Sequence, residues 1–277
     1  MSVADWIGKT ETRQDIVTPG PAAALSATLD REDAPPQTGD ALPPLWHWLY
    51  FLDRYRASEL GSDGHVRRGG LLPSIPLPRR MWAGSRFEFH HPLLVGDQIT
   101  RETRVIDIKE KSGRSGPLVF VLVRHEISNA SGLAITEEHD IVYRGHGPGA
   151  PPQPAPADDA WKRTIQADDV LLFRYSALTF NAHRIHYDRR YATEVEGYPG
   201  LVVHGPLIAT LLMDLLRRHE PAANVARFSF RAVSPLFDTA PFTVCGKTEG
   251  NAVALWAKDA AGNLAMSAEA GLKPRAD

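Results

Sequence analysis

Apolar residues along this chain fall into two runs of similar order. In residues 42–60, LPPLWHWLYFLDRYRASEL, Leu45, Trp48, Leu49, Leu52 and Tyr55 recur at helical spacing, and Gly61 closes the segment. The aromatic residues Trp46, Trp48, Tyr50 and Phe51 read as packing first and as a pocket lining second. A polar, Gly- and Pro-rich connection runs up to Arg80, after which the pattern becomes strand-like. Residues 85–91 alternate, 92–97 are a turn, and 99–109, 118–127 and 133–143 are expected as longer strands. The separators 111–116 and 129–132 have hairpin chemistry. A helix followed by an antiparallel meander is an α+β pattern. Upstream, residues 1–40 are mixed, with a helix-start signal at 18–21 and a short helix expected over 22–29.

The second half repeats this order. Residues 171–173 are a short apolar stretch, 179–188 (TFNAHRIHYD) a polar histidine-bearing loop, and about 204–218 an apolar helix opened by His204-Gly205-Pro206. Strands are expected at 227–233, 242–248, 252–257 and 264–271. Between the halves lies GHGPGAPPQPAP, residues 145–156, whose five prolines exclude it from a sheet interior. The expected division is therefore 1–144, a linker at 145–158, and 159–277. The halves also share letters. Arg86-Phe87-Glu88-Phe89 and Arg227-Phe228-Ser229-Phe230 each follow the long helix of their half, which supports an internal duplication.

Composition narrows the function classes. The 277 residues are 43% hydrophobic and 23% charged, ordinary for a chain with a real core. A net charge of −2 gives no reason to expect nucleic acid or an anionic membrane as partner. The one cysteine, Cys245, excludes an internal disulfide and reads as a packed side chain in a strand. The N-terminus lacks a signal-peptide core and no apolar run approaches the roughly 20 residues of a membrane span, so a cytosolic protein is expected.

The chemistry concentrates in 173–218. The free amides of a helix's first turn carry partial positive charge and suit an anion, or an oxygen that becomes anionic during a reaction. Just upstream stand His183 and His186. An imidazole titrates near neutrality and can take a proton from water and return it, which makes His186 the candidate general base. For His183 a substrate hydrogen bond and a structural role stand side by side. Asp188 reads as a turn-stabilising or histidine-orienting carboxylate, and His204 as a helix-start residue. His183, His186 and His204 could offer three nitrogens to zinc, but no Cys or Glu completes a usual motif, so no metal is expected.

The segment TFNAHRIHYD followed by VVHGPL resembles the signature of the MaoC-like, (R)-specific hydratase and dehydratase family. That family carries a loop of the form SGDxNPxHxD and a His-Gly helix start about twenty residues later. The resemblance implies an α+β double hotdog, two long helices each wrapped by an antiparallel sheet. The catalytic hotdog would be the second half, and the first a degenerate one completing the acyl pocket. It also implies a hydro-lyase acting on an acyl thioester. His186 falls on the family's catalytic His, and Gly205, after His204, on the residue whose amide meets the thioester oxygen. The family's catalytic Asp is replaced by Asn181, its Asn by His183 and its Pro by Arg184. Asn181 cannot transfer a proton; it can orient water or substrate by hydrogen bonding. This form of loop more specifically resembles the subgroup of itaconyl-CoA and mesaconyl-CoA hydratases and mitochondrial-type 3-hydroxyacyl-thioester dehydratases. A short branched dicarboxylic enoyl-CoA is the expected substrate, with Arg184 as a candidate partner for its carboxylate and outward-facing contact with CoA or solvent as the other reading. The alternatives are a 3-hydroxyacyl-CoA or acyl-carrier-protein dehydratase and a non-catalytic thioester-binding hotdog. No cofactor is required; acyl-carrier protein and a second copy of the chain stay open as partners.

Overall fold

The computed structural model describes residues 3–67, 70–113, 116–145 and 151–274. Ten strands form one antiparallel sheet: β1 Thr10–Ile16, β2 Arg79–Phe89, β3 Gln98–Gly113, β4 Gly116–Asn129, β5 Gly132–Arg144, β6 Trp161–Ile165, β7 Val225–Ala232, β8 Phe242–Glu249, β9 Ala252–Lys258 and β10 Leu264–Leu272. Three α-helices accompany them: α1 Pro19–Thr28, α2 Asp169–Leu178 and α3 Gly205–His219. The spatial order is β1-β3-β4-β5-β2-β7-β10-β9-β8-β6. Read from its centre outward, each half has the same connectivity, so the order is a palindrome about the β2–β7 contact.

That contact is where the repeated RFxF letters meet. Phe87 lies opposite Phe228, Arg86 opposite Ser229 and Glu88 opposite Arg227. The second residue of one copy thus pairs with the second of the other, as a two-fold axis through the seam requires. Gly84 starts the pairing. A Cβ there would lie 2.5 Å from the Phe230 carbonyl oxygen, so the close approach of the two strands requires glycine.

The C-terminal half wraps its sheet around α3. Leu207, Ile208, Leu211, Leu212, Leu215 and Leu216 are all buried in the core. Pro206 fits the first turn, and Arg217, Arg218 and His219 in the last turn suit the negative end of the helix dipole. Asp214, 1% exposed, is held inside by Arg31 Nη1 at 2.6 Å, Arg163 Nη1 at 3.0 Å and Arg218 Nε at 2.7 Å.

The N-terminal half departs from expectation. The helix expected over 42–60 is replaced by two short 3-10 turns, Trp46–Leu49 and Ala57–Glu59. Leu45 (φ 70°) and Phe51 (φ 55°) take left-handed backbone on either side of the first, which no continuous helix allows. Of the periodic residues Leu45 and Leu49 are buried, beside Trp46, Tyr50 and Phe51, while Trp48 and Leu52 are partly buried and Tyr55 is exposed. Tertiary bonds override the local pattern: His47 Nε2 and Trp48 Nε1 lie 3.0 Å from the two oxygens of buried Glu137 on β5. The α+β double hotdog architecture stands, with one long central helix rather than two. The strands β1 and β6 and the helix α2 join the expected elements. Of the linker 145–156, residues 146–150 lie outside the described residues, and Pro154 bridges Asn263.

Candidate active site

The histidine loop begins where α2 ends. Asp168 caps α2 by accepting from the Leu171 N–H at 2.8 Å, and the Asn181 N–H turns back to the Ser176 carbonyl at 2.8 Å. Asn181 Oδ1 accepts from the His183 N–H at 3.0 Å, closing an Asx turn. A 3-10 turn, Arg184–His186, then buries Ile185 and His186.

His186 Nδ1 lies 2.7 Å from the Val202 carbonyl oxygen. A carbonyl only accepts, so Nδ1 carries the proton of the neutral ring and Nε2 keeps its lone pair. The ring stacks on His204 with centroids 3.7 Å apart. His204 Nε2 pairs with Ser176 Oγ at 2.8 Å, while its Nδ1 is buried without a partner. His183 meets His186 edge-on at 5.4 Å and lies over His65 at 3.9 Å. Four imidazoles, His65, His183, His186 and His204, thus form a continuous row. Burial lowers His186 to about 4, against the Val202 hydrogen bond that favours its charged form. Burial, then His65 and His186, lowers His183 to about 2, and burial holds His204 well below its ordinary value. These three rings are neutral at pH 7.

Gly205 opens α3, and a Cβ placed there would meet nothing within 4 Å, so its face is open. Pro206 and Asn181 line a cavity of about 900 Å³, together with Trp48, His65, Arg101 and Tyr175. His186 and His204 are buried, and His183 is partly exposed. Arg184 is turned elsewhere. Its Nε and Nη2 hold Asp188 Oδ2 at 3.0 and 2.7 Å, its Nη1 donates to the Ser62 carbonyl at 3.0 Å, and the guanidinium lies over the Tyr191 ring. All three of its nitrogens are engaged. Asp188 also accepts from the Tyr191 N–H at 3.0 Å and so stabilises the turn.

Sequence reasoning missed Asp63 and His65, which lie some 120 positions before the loop they touch. Asp63, His65 and His183 bring donor atoms within 4.8 Å of one another and are the group among the described residues that could hold a metal ion. It differs from the His183, His186 and His204 set weighed above. The Asx turn written in Asp63-Gly64-His65 was the available signal. Also missed was the polar floor of the N-terminal half, where Glu137 bonds His47, Trp48 and His139, and where Thr103 Oγ1 pairs with His125 Nδ1 at 2.8 Å.

Two hotdog halves on one sheet, with histidines behind the start of the one central helix, define a double hotdog protein. The backbone follows a MaoC-like dehydratase with TM-score 0.71 at 15% identity, over 98% of this chain and 99% of that one. It also follows a Mycobacterium tuberculosis protein described as having a double hotdog fold, with TM-score 0.59 at 14% identity over 96% of each chain. The family model for hydroxyacyl-thioester dehydratase type 2 matches residues 45–238. Mesaconyl-C(4)-CoA hydratase of Chloroflexus aurantiacus is 52% identical, covering 97% of this chain and 98% of the relative. The mitochondrial hydroxyacyl-thioester dehydratase type 2 of Schizosaccharomyces pombe is 31% identical, covering 88% and 91%. The chain belongs to the hydroxyacyl-thioester dehydratase type 2 family and is an enzyme of its hydro-lyase class.

Proposed function

We propose that this protein hydrates a short branched dicarboxylic enoyl-CoA, mesaconyl-C4-CoA or itaconyl-CoA. The carrying observation is the 52% likeness to a mesaconyl-C(4)-CoA hydratase along 97% of the chain. A free carboxylate in a largely apolar cavity needs a cation, because a buried unpaired charge is very costly. Arg184 is spent on Asp188. Of the cavity arginines, Arg13 pairs with Glu11 and Asp53, whereas Arg101 has its Nε buried without a partner and lies over the Phe51 ring at 5.0 Å. No carboxylate hydrogen-bonds Arg101 among the described residues, though Asp53, Glu137 and Glu11 act on it from further off. Arg101 is therefore the guanidinium this reading assigns to the substrate carboxylate.

In the reaction, hydroxyl from water adds to the β-carbon and a proton to the α-carbon as the π-bond is consumed. The open Gly205 amide and the positive end of α3 stabilise the thioester oxygen as it gains charge. His186, neutral and with Nε2 free, takes the proton from water, while Asn181 helps hold that water. No metal or redox group is required, and the protein is assigned to the cytoplasm. A 3-hydroxyacyl-thioester dehydratase is the second reading, favoured by the family model. A panel of mesaconyl-C4-, itaconyl-, crotonyl- and 3-hydroxyacyl-CoA, with an acyl-carrier-protein ester, separates them. Turnover confined to uncharged esters would sink the dicarboxylate reading. Arg101→Gln should depress mesaconyl-C4-CoA hydration far more than crotonyl-CoA hydration, whereas an effect confined to exposed Arg80 would move the carboxylate there.

A further inference from the structure

Asn181 supplies no proton-transfer group where the histidine loop meets the cavity. A carboxamide neither gives nor takes a net proton, and its oxygen is occupied by the His183 N–H. His186 is only 7% exposed. The imidazole of this row that does line the cavity is His65, and it comes from the other half of the chain.

Its placement is built rather than incidental. Residues 60–66 form a small hairpin, with Leu60 bridging Val66 and the Gly61 N–H bonded to the His65 carbonyl at 2.7 Å. The hairpin is clamped to the histidine loop by three contacts. The Arg184 N–H donates to the Asp63 carbonyl at 2.9 Å, and Arg184 Nη1 to the Ser62 carbonyl at 3.0 Å. Gly64, at φ +89°, packs so closely that a Cβ would stand 1.8 Å from the Ala182 carbonyl oxygen. Arg184 stands where the motif it resembles carries proline, which has neither an N–H nor a guanidinium to offer. Within the hairpin, Asp63 Oδ1 accepts from the His65 N–H at 3.0 Å, and Asp63 Oδ2 faces His65 Nδ1 at 3.1 Å. The His65 hydrogen bond, against partial burial, holds Asp63 down at about 2, so it is ionised at any working pH. A carboxylate in this position fixes the tautomer of an imidazole and stabilises the imidazolium. The titratable groups facing His65 are Asp63 and His183, with His186 behind.

We propose that His65, oriented by Asp63, is the proton donor of the reaction, delivering a proton from Nε2 to the α-carbon as His186 takes one from water. This rests on the hydratase reading above. The electrons of the π-bond form the new C–H bond, and a water electron pair forms the C–O bond. Each turnover leaves His65 neutral and His186 charged. Before the next turnover His186 releases its proton to water and His65 takes one up from water, which restores both rings.

The test compares wild type with His65→Gln and Asp63→Asn on mesaconyl-C4-CoA and crotonyl-CoA, with melting temperatures recorded. His65→Gln should lower kcat about 100-fold with KM within threefold, a loss in the general acid–base range. It should also slow deuterium uptake at the α-carbon. Asp63→Asn should lose about tenfold. Undiminished kcat in a folded His65→Gln, or unchanged deuterium uptake, would overturn the proposal alone. Wild-type turnover removed by chelator and restored by zinc would make Asp63, His65 and His183 a metal site and would overturn it too. A wild type that hydrates neither ester would sink the hydratase reading and this proposal together.

Discussion

The two halves share a strand order and differ in what covers the sheet. In the C-terminal half, α3 lies on β6, β8, β9 and β10, and the residues beneath it are apolar: Phe242, Val244, Val253 and Leu255 are at most 1% exposed. In the N-terminal half two short 3-10 turns and coil replace the helix, and the sheet carries Arg101, Thr103, His125, Glu137 and His139. Register makes the contrast specific. Arg101 lies opposite Arg13 on β1, as Val244 lies opposite Arg163 on β6. Beside its outer strand, one half thus carries a cavity-lining guanidinium and the other a sealed valine. The lesson is that losing a central helix opens space and frees chain. Both were used: the space is the cavity, and the freed chain is the hairpin at 60–66 that reaches the other half's loop.

This contrast can be broken in order of expected effect. His186→Ala removes the proton acceptor of the half that keeps its helix. Turnover should fall by about 10²–10⁴-fold with the fold intact, and a folded variant that hydrates at the wild-type rate would break the assignment. Next come the two buried carboxylates. Asp214 faces three guanidiniums that cannot shed their charge, so Asp214→Asn should cost about 3–5 kcal/mol by denaturant titration. Glu137 faces His47, His139 and the Trp48 N–H, and imidazoles can become neutral. Glu137→Gln should therefore cost less, about 1–3 kcal/mol. A reversed order would show that the N-terminal network is the more rigid of the two.

Acid should act on the halves in sequence. His186 and His183 have folded values below the ordinary imidazole value. Above about pH 6.5 neither folded nor unfolded chain protonates them. As pH falls from there toward about 4, the unfolded chain binds protons that folded His186 refuses, and stability drops by up to about 3 kcal/mol from this group. Glu137, which burial pushes up but His139 and His47 pull well below the carboxylate range, contributes a loss only at lower pH. Denaturant midpoints at pH 7, 5.5 and 4 should decline in two stages, and a flat profile from 7 to 5 would contradict the burial of the histidine row. The smallest effect is Gly205→Ala. Its added methyl meets nothing, so stability should move within about 0.5 kcal/mol. KM for the thioester should rise if the open amide is where its oxygen sits.

Much of this was legible in the chain. The meander strands alternate cleanly, α3 announces itself by His-Gly-Pro and an unbroken apolar face, and the RFxF echo turned out to be the seam itself. β1, TETRQDI, was not legible because its alternation is written in polar residues; its exposed and partly buried positions alternate along the whole strand. The helix expected over 42–60 had the right apolar spacing, but spacing carries no information about Glu137, ninety positions away, to which two of its side chains are tied. Within the site, His183, Asn181, His186, His204 and Gly205 are gathered as their closeness in sequence suggests. Arg184 was left between two readings, and the structure shows it held by Asp188 and the Ser62 carbonyl. Asp63 and His65 could be placed only once the hairpin was seen docked on Ala182.

The seam between Phe87 and Phe228 carries a consequence of mass action. Two separate hotdogs joined edge to edge would hold a shared site only at concentrations above their dissociation constant. Here both edges belong to one polypeptide, and the partner strand is present at a fixed effective concentration however dilute the protein becomes. A site that draws His65 from one half and His183 from the other therefore survives dilution. Activity per chain should be independent of protein concentration down to the assay limit.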